Sequence, residues 1–173
     1  MLHTSKPKLD SPYSRVGADL VDMGYRAIPV LPGSKRPGSM SYGEWYGDMD
    51  WSRFCDRMPT EIETEIWSRW PDAGVCIAID HELKVIDVDT DDPDIRAAIE
   101  DVLPTALVKK RGQKGFSAFY RGSDAIVSRP FSLVLPGGFE SRIIDLLAHG
   151  RQTVLPPTIH PDSGQADQWI TDD

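Results

Sequence analysis

The chain reads as an α+β protein, and three observations carry that reading. Apolar residues at helical spacing recur only in short windows, at 14–23, at 61–70 and after Pro93. From residue 74 onward, short apolar runs of strand length alternate with breaks rich in Gly, Pro and Asp. Those runs follow one another in hairpin-like pairs instead of being separated each time by a helix. That order favours a mixed, hairpin-rich sheet over a doubly wound parallel one.

Taken in order, residues 1–13 hold Ser, Lys and Pro with little periodic apolar content and predict a flexible arm. Val16, Leu20 and Met23 fall on one helical face, with Ser14 as N-cap and Gly24 at the helix end. Ala27–Leu31 reads as a strand, and Pro29 within it points to a sheet edge. Residues 32–43 form a Gly- and Pro-rich loop, and the aromatic stretch 44–58 carries no clear period. Thr60 caps a helix over 61–70 whose stripe is Ile62, Ile66, Trp67 and Trp70. Residues 75–79 and 83–88 read as two strands joined by a tight turn at Asp80–Glu82. Pro93 opens a helix to about 102. Residues 105–109 and 116–121 are strand-like on either side of Gly112–Gly115, and 141–147 and 152–155 form a further pair around His149–Gly150.

Composition narrows the class. A chain of 173 residues with 40% hydrophobic content can bury a core as one domain or two small lobes. No apolar run approaches the ~18 residues of a membrane span, so no membrane role is expected. The N-terminus lacks the apolar core of a signal peptide. Two cysteines, Cys55 and Cys76, make neither a disulfide framework nor a zinc site on their own, which points to a reducing, cytoplasmic setting. The net charge of −8 argues against a nucleic-acid partner only if it is evenly spread. It is not: residues 80–101 hold nine acids against two bases, and 107–121 hold five bases and no acid.

The acidic stretch contains VIDVDT, residues 85–90. Side chains alternate along a strand, so Asp87 and Asp89 share a face about 7 Å apart. Paired carboxylates at the end of an apolar strand repel one another, and a divalent cation relieves that repulsion. Such a pair suits two-metal phosphoryl chemistry, although sugar-nucleotide transferases and hydrolases use the same pattern. Asp145 is a second acid inside an apolar strand pattern, SRIIDLLA, on the face of Ile143. The loop KKRGQKGF offers Arg111 and Lys114 to phosphates, with Gly112 and Gly115 allowing close backbone approach. It lacks the Gly-Lys-Ser/Thr ending of a Walker loop. GSKRPGS presents Lys35 and Arg36, and GRQTVLPPTIHPDSG presents Arg151, Gln152, Thr158 and His160 from a Pro-stiffened segment. His3, His81, His149 and His160 lack metal-ligand spacing along the chain. No nucleophile elbow is present, so acyl transfer is not expected.

Read in sequence, these pieces resemble the N-terminal bifunctional DNA primase/polymerase (prim-pol) domain of phage and plasmid replication proteins, in the archaeo-eukaryotic primase superfamily. The pieces are the Gly-Tyr helix end, the Pro-Gly-Ser-Lys-Arg-Pro loop, VIDVDTDD, Gly-Gln-Lys-Gly with FYR, and the closing IDLL and GRQTVLPPTIHP runs. The resemblance covers residues 14–170. It implies two lobes, approximately 14–74 and 75–170, the second carrying a sheet like that of the RNA-recognition fold, with a cleft between them. It implies that Asp87, Asp89 and Asp145 hold two Mg²⁺ or Mn²⁺ ions. The family often places a histidine in the strand after the basic loop; here Ser117 or Phe119 takes that place. Lys114, Arg111, Ser117, Lys35 and His160 are therefore expected at the nucleotide, and Arg151, Gln152 and Arg36 at the template. The implied activity is primer synthesis or strand extension from NTPs or dNTPs on single-stranded DNA, beside a helicase domain or protein. Two other readings use the same residues: a catalytically degenerate module that binds single-stranded DNA or recruits a helicase, and a metal-dependent phosphoesterase.

Overall fold

The computed structural model describes residues 10–134 and 137–170. Most of the expected arm, residues 1–9 with His3, lies outside the described residues. In chain order the elements are α1 (Pro12–Asp22), β1 (Ala27–Val30), β2 (Gly38–Ser41), β3 (Glu44–Gly47), a 3-10 helix (Trp51–Cys55), α2 (Glu61–Trp67), β4 (Gly74–Ala78), β5 (Leu83–Val88), α3 (Pro93–Val102), β6 (Val108–Arg111), β7 (Phe116–Arg121), β8 (Arg129–Val134), β9 (Glu140–Leu147), β10 (Gln152–Leu155) and β11 (Gln168–Ile170). The α+β class is as expected. The expected mixed sheet is not: every named strand pair is antiparallel.

The first helix begins earlier than its apolar spacing implies. Ser11, not Ser14, is the N-cap, and the two serines form a reciprocal capping box. Ser14 sits at the third helical position and returns the bond, Ser11 N–H to Ser14 Oγ at 2.9 Å. Tyr13 is fully buried with its ring edge-on to Trp67, so residues 11–13 belong to the core and not to an arm. At the other end the Gly24 N–H donates to Val21 O and the Tyr25 N–H to Leu20 O, both at 2.9 Å. That is a Schellman closure, and it needs the positive φ of Gly24.

Two sheets organise the rest. The small one has the order β1-β4-β10 and packs with α1, α2 and the 3-10 helix around Tyr13, Phe54, Trp67 and Val75. Pro29 lies in its edge strand, where a missing N–H costs no ladder bond. The large one has the order β11-β6-β7-β5-β9-β8. Its Ile86, Val88, Phe116 and Ala118 pack with Ile95 and Ile99 of α3. On the other side Val85, Phe119 and Leu147 join the core of the small sheet.

Two expected strand pairs do not exist. β4 and β5 belong to different sheets, and so do β9 and β10. Alternation shows which residues share a face but not which strand lies alongside. β4 is buried at all five positions and lies between β1 and β10. The Asp80 carboxylate accepts the N–H groups of Glu82 (2.9 Å) and Leu83 (2.7 Å) and so turns the chain into the large sheet. β9 returns to the small sheet through Gly150, whose φ is +83°. The small sheet thus draws strands from both sides of the expected 74/75 lobe boundary. The aromatic stretch without period supplies β3 and the 3-10 helix. β2 forms inside the expected loop 32–43, and β8 and β11 form in segments where the sequence predicts no element.

Candidate active site

The polar centre of the molecule is a row across the large sheet. Register pairs Lys110 with Ser117, Ser117 with Asp87, and Asp87 with Asp145. Directly opposed side chains have Cβ atoms about 4.5–5.5 Å apart. Asp89 follows Asp87 on the same face. Its N–H donates to Ile143 O at 2.9 Å, so the β5–β9 ladder runs on past the end of β5. Residues 58 positions apart in the chain, Asp87 and Asp145, thus meet through one strand pair.

Each carboxylate has a distinct setting. Ser117, itself buried, donates its hydroxyl to Asp87 Oδ1 at 2.6 Å. Asp87 is half-buried and Asp89 exposed. Asp145 is a quarter exposed and is covered by Arg142, whose Nε donates to Oδ1 at 2.6 Å. The Arg142 side chain is 62% exposed and so is free to swing away.

Asp87 and Asp89 open into a cavity of about 400 Å³ walled by both sheets. Lys35, Lys114, Ser117, Gln152 and His160 line it, five of the eight side chains expected at nucleotide or template. Asp145 lies beside Asp87 and is not part of the lining. Arg111, next to Lys110 on β6, takes the opposite face and lines an adjoining groove with Gln165 and Gln168. Arg151 lines a separate groove with His81 and His149. Arg36 is exposed on its loop, outside the lining.

Local bonds show what these side chains are committed to. Gln152 donates Nε2–H to Lys35 O at 2.9 Å and so moors the Lys35 loop to β10. Its Oε1 is buried at the cavity wall without a partner among the described residues. Nδ1 of buried His160 accepts the Asp162 N–H at 3.2 Å, so the neutral ring carries its proton on Nε2. Thr158 accepts the Val75 N–H at 2.7 Å and donates to Val75 O at 3.1 Å, which ties the Pro-stiffened segment to β4. Phe119, at the alternative place of the family histidine, is spent on packing against Trp169, 6.0 Å between ring centres.

The basic loop departs from its expected use of glycine. At Gly115 φ is +54° and an added Cβ would lie 2.0 Å from Val88 O. The close approach is to the chain's own strand, and it holds Lys114 beside Asp87 and Asp89. At Gly112 an added Cβ would lie 3.4 Å from the Asp167 carboxylate, an ordinary contact.

Lys110 and Asp167 are the functional-looking residues that sequence reading missed. They form a buried ion pair at 2.9 Å in the cavity wall. Strand alternation does separate Lys110 from Arg111, yet nothing local in the chain marks Asp167 as its partner. Burial pushes the thiols of Cys55 and Cys76 up, away from the reactive thiolate. No helix among the described residues is long and apolar enough to cross a membrane.

The family model for the N-terminal domain of bifunctional DNA primase/polymerases, Prim-Pol, matches residues 18–173. No curated protein matches the chain.

Proposed function

The chain belongs to the Prim-Pol family, the N-terminal domain of bifunctional DNA primase/polymerases, and from that premise we propose a metal-dependent nucleotidyltransferase that makes or extends primers on single-stranded DNA. The observation that carries the reading is the register pairing of Asp87 with Asp145, with Asp89 two residues further on the same face. The donor set fits the metal the reading needs: three carboxylates are hard oxygen ligands of the kind that Mg²⁺ and Mn²⁺ take. Asp87, Asp89 and Asp145 would hold two such ions, which when bound supply charge neutralisation at the reacting phosphate.

The chain's own residues do the positioning. Ser117 fixes the rotamer of Asp87 through its 2.6 Å hydrogen bond. Arg142 occupies Asp145 and must leave for that carboxylate to act as a ligand. Lys114 and Lys35, both exposed on the cavity wall, take the triphosphate as mobile point charges. Lys110 is neutralised by Asp167 and is therefore not one of them. His160 offers an Nε2–H donor and Gln152 an Oε1 acceptor, unpaired among the described residues, to the nucleotide. A primer 3′ hydroxyl then displaces pyrophosphate from the α-phosphate, with rate gained mainly from positioning and charge. Arg36, Arg111 and Arg151 lie outside the cavity, where they suit the template backbone, and a helicase domain or protein is the partner this role calls for.

The test is one gel assay with a primed and an unprimed template, labelled nucleotides and Mn²⁺. Template-dependent product, lost in Asp87→Asn and Asp145→Asn while thermal stability holds, is the expected result. Unimpaired extension by both variants overturns the polymerase reading. Cleavage of the template assigns a phosphoesterase, and binding without product assigns a DNA-binding module.

A further inference from the structure

A second constellation lies at the far end of the same strands. Asp56 follows the 3-10 helix, His81 sits in the β4–β5 connection, and His149 sits in the β9–β10 connection. One ligand atom from each, two imidazole nitrogens and a carboxylate oxygen, lies within 4.8 Å of the others. His81 and His149 stack with ring centres 3.9 Å apart and planes 15° apart. Their Nε2 atoms converge on a single oxygen, Asp56 Oδ1, at 3.3 Å and 2.8 Å. From Asp87 to His81 is six residues, about 20 Å along an extended chain. This cluster is therefore separate from the carboxylate row.

From this geometry we infer that Asp56, His81 and His149 form a binding site for a divalent transition metal of the zinc type. Two imidazoles and one carboxylate are the mixed donor set that zinc accepts, with a fourth position left for water. Tetrahedral zinc at about 2.0–2.1 Å from its ligands needs donor atoms roughly 3.3 Å apart. The three side chains are exposed, so they close the remaining gap by rotamer change alone. A second observation points the same way. His81 Nδ1 lies 2.6 Å from Asp124 Oδ1. In the neutral ring that bond places the proton on Nδ1, since a carboxylate only accepts, and leaves the Nε2 lone pair for an ion. It is the carboxylate–histidine–metal arrangement of outer-shell support. The carboxylates of Asp56 and Asp124 bring negative charge to the cluster, which favours a cation there. Sequence spacing concealed the site because its residues come from three separate connections.

The location gives the ion a consequence. His81 and His149 lie on two connections that carry the chain between the sheets, and Ile79 N–H already bonds Arg151 O at 2.8 Å across them. An ion there clasps both crossings to the 3-10 helix end, and with them the small sheet against the large one.

The experiment uses the full chain with Asp87→Asn and Asp89→Asn in place, so that the candidate catalytic carboxylates bind no metal, and Zn²⁺ alone as titrant. Calorimetry should record one equivalent bound, and Zn²⁺ at a hundredfold excess over Kd should raise Tm by about 5–10 °C. Adding His81→Ala and His149→Ala should abolish both effects. Asp124→Asn, which leaves all three ligands in place, should weaken Zn²⁺ affinity 10–100-fold. Co²⁺ should give an intense visible band of tetrahedral coordination in the parent that the histidine variant lacks. Equal Zn²⁺ affinity with and without the two histidines, or an Asp124→Asn variant that binds as tightly as its parent, overturns the assignment.

Discussion

Replacing Gly115 by alanine tests how the basic loop is held against the carboxylates. The added Cβ would lie 2.0 Å from the Val88 carbonyl oxygen and 2.8 Å from its carbon, where real Cβ atoms keep at least 3.0 Å. The neighbour is backbone in a strand with partners on both sides, so it cannot rotate away. The loop must therefore retreat by about 1 Å. Two costs add: about 1–2 kcal/mol for a side chain in the left-handed region, and about 1–3 kcal/mol for overpacking. A loss of about 2–5 kcal/mol follows, or a fall in Tm of about 5–15 °C in a chain of this size. Gly24→Ala separates the two costs, because Gly24 also has positive φ but nothing within 4 Å of its Cβ. It should lose only the first. Paired thermal melts in one buffer make the measurement, and nucleotide incorporation by Gly115→Ala should fall further than its stability does, since Lys114 moves with the loop. If Gly115→Ala and Gly24→Ala melt within about 1 kcal/mol of each other, the close approach to Val88 does not hold the loop and the reasoning fails.

Three further perturbations address other parts of the molecule. Asp167→Ala leaves the Lys110 ammonium buried and unpaired, so denaturant unfolding should show a loss of about 3–5 kcal/mol, most of it regained when Lys110→Met is added. Glu63 is held at about 2, below its ordinary 4.5, by Arg57 first and then by the Thr60 N–H in the α2 capping box. A depressed carboxyl stabilises the fold above its unfolded value and loses that contribution as pH falls from about 4.5 to about 2. Glu63→Gln should therefore cost about 1–2 kcal/mol at pH 7, after allowance for solvent screening, and the two melting curves should converge near the bottom of that window. Arg142→Ala frees Asp145, and under the proposed function it should lower the Mn²⁺ concentration at half-maximal incorporation; an unchanged or raised requirement would show that Arg142 does not compete with the ion.

The legible parts of this fold were those set by local chemistry. Gly24, Thr60 and Pro93 marked helix ends because capping depends on the residue at the cap itself. Asp87 and Asp89 could be placed on one face because alternation is a property of a single strand. The partnering of strands was not legible in the same way. VCIAI and LKVIDV both read as apolar strands, and nothing local tells that one is buried on both faces in the small sheet while the other crosses to the large sheet. The same blindness hid Asp167 from Lys110 and Asp56 from His81 and His149, since each of these contacts joins separate elements. β8 was concealed for another reason: its apolar residues Phe131, Leu133 and Val134 are few and exposed and follow Pro130, which weakens the strand signal.

The meeting of Asp87 with Asp145 nevertheless has a cause that can be stated in residues. With that register, Val85 faces Leu147, Ile86 faces Leu146 and Val88 faces Ile144. Three apolar pairs therefore flank the acidic one. A slip of one residue would oppose Asp87 to Leu146 or Ile144 and turn every β9 side chain to the wrong face. It would expose the apolar set that packs under α3 and bury the carboxylate there. Two like charges directly opposed cost up to about 1 kcal/mol, whereas a single fully exposed Leu or Ile forfeits about 1.5–3 kcal/mol of burial. The apolar partners outweigh the repulsion several times over. The carboxylates are thus brought together by the packing of their neighbours and against their own preference, and the repulsion that remains is free to be relieved by a cation.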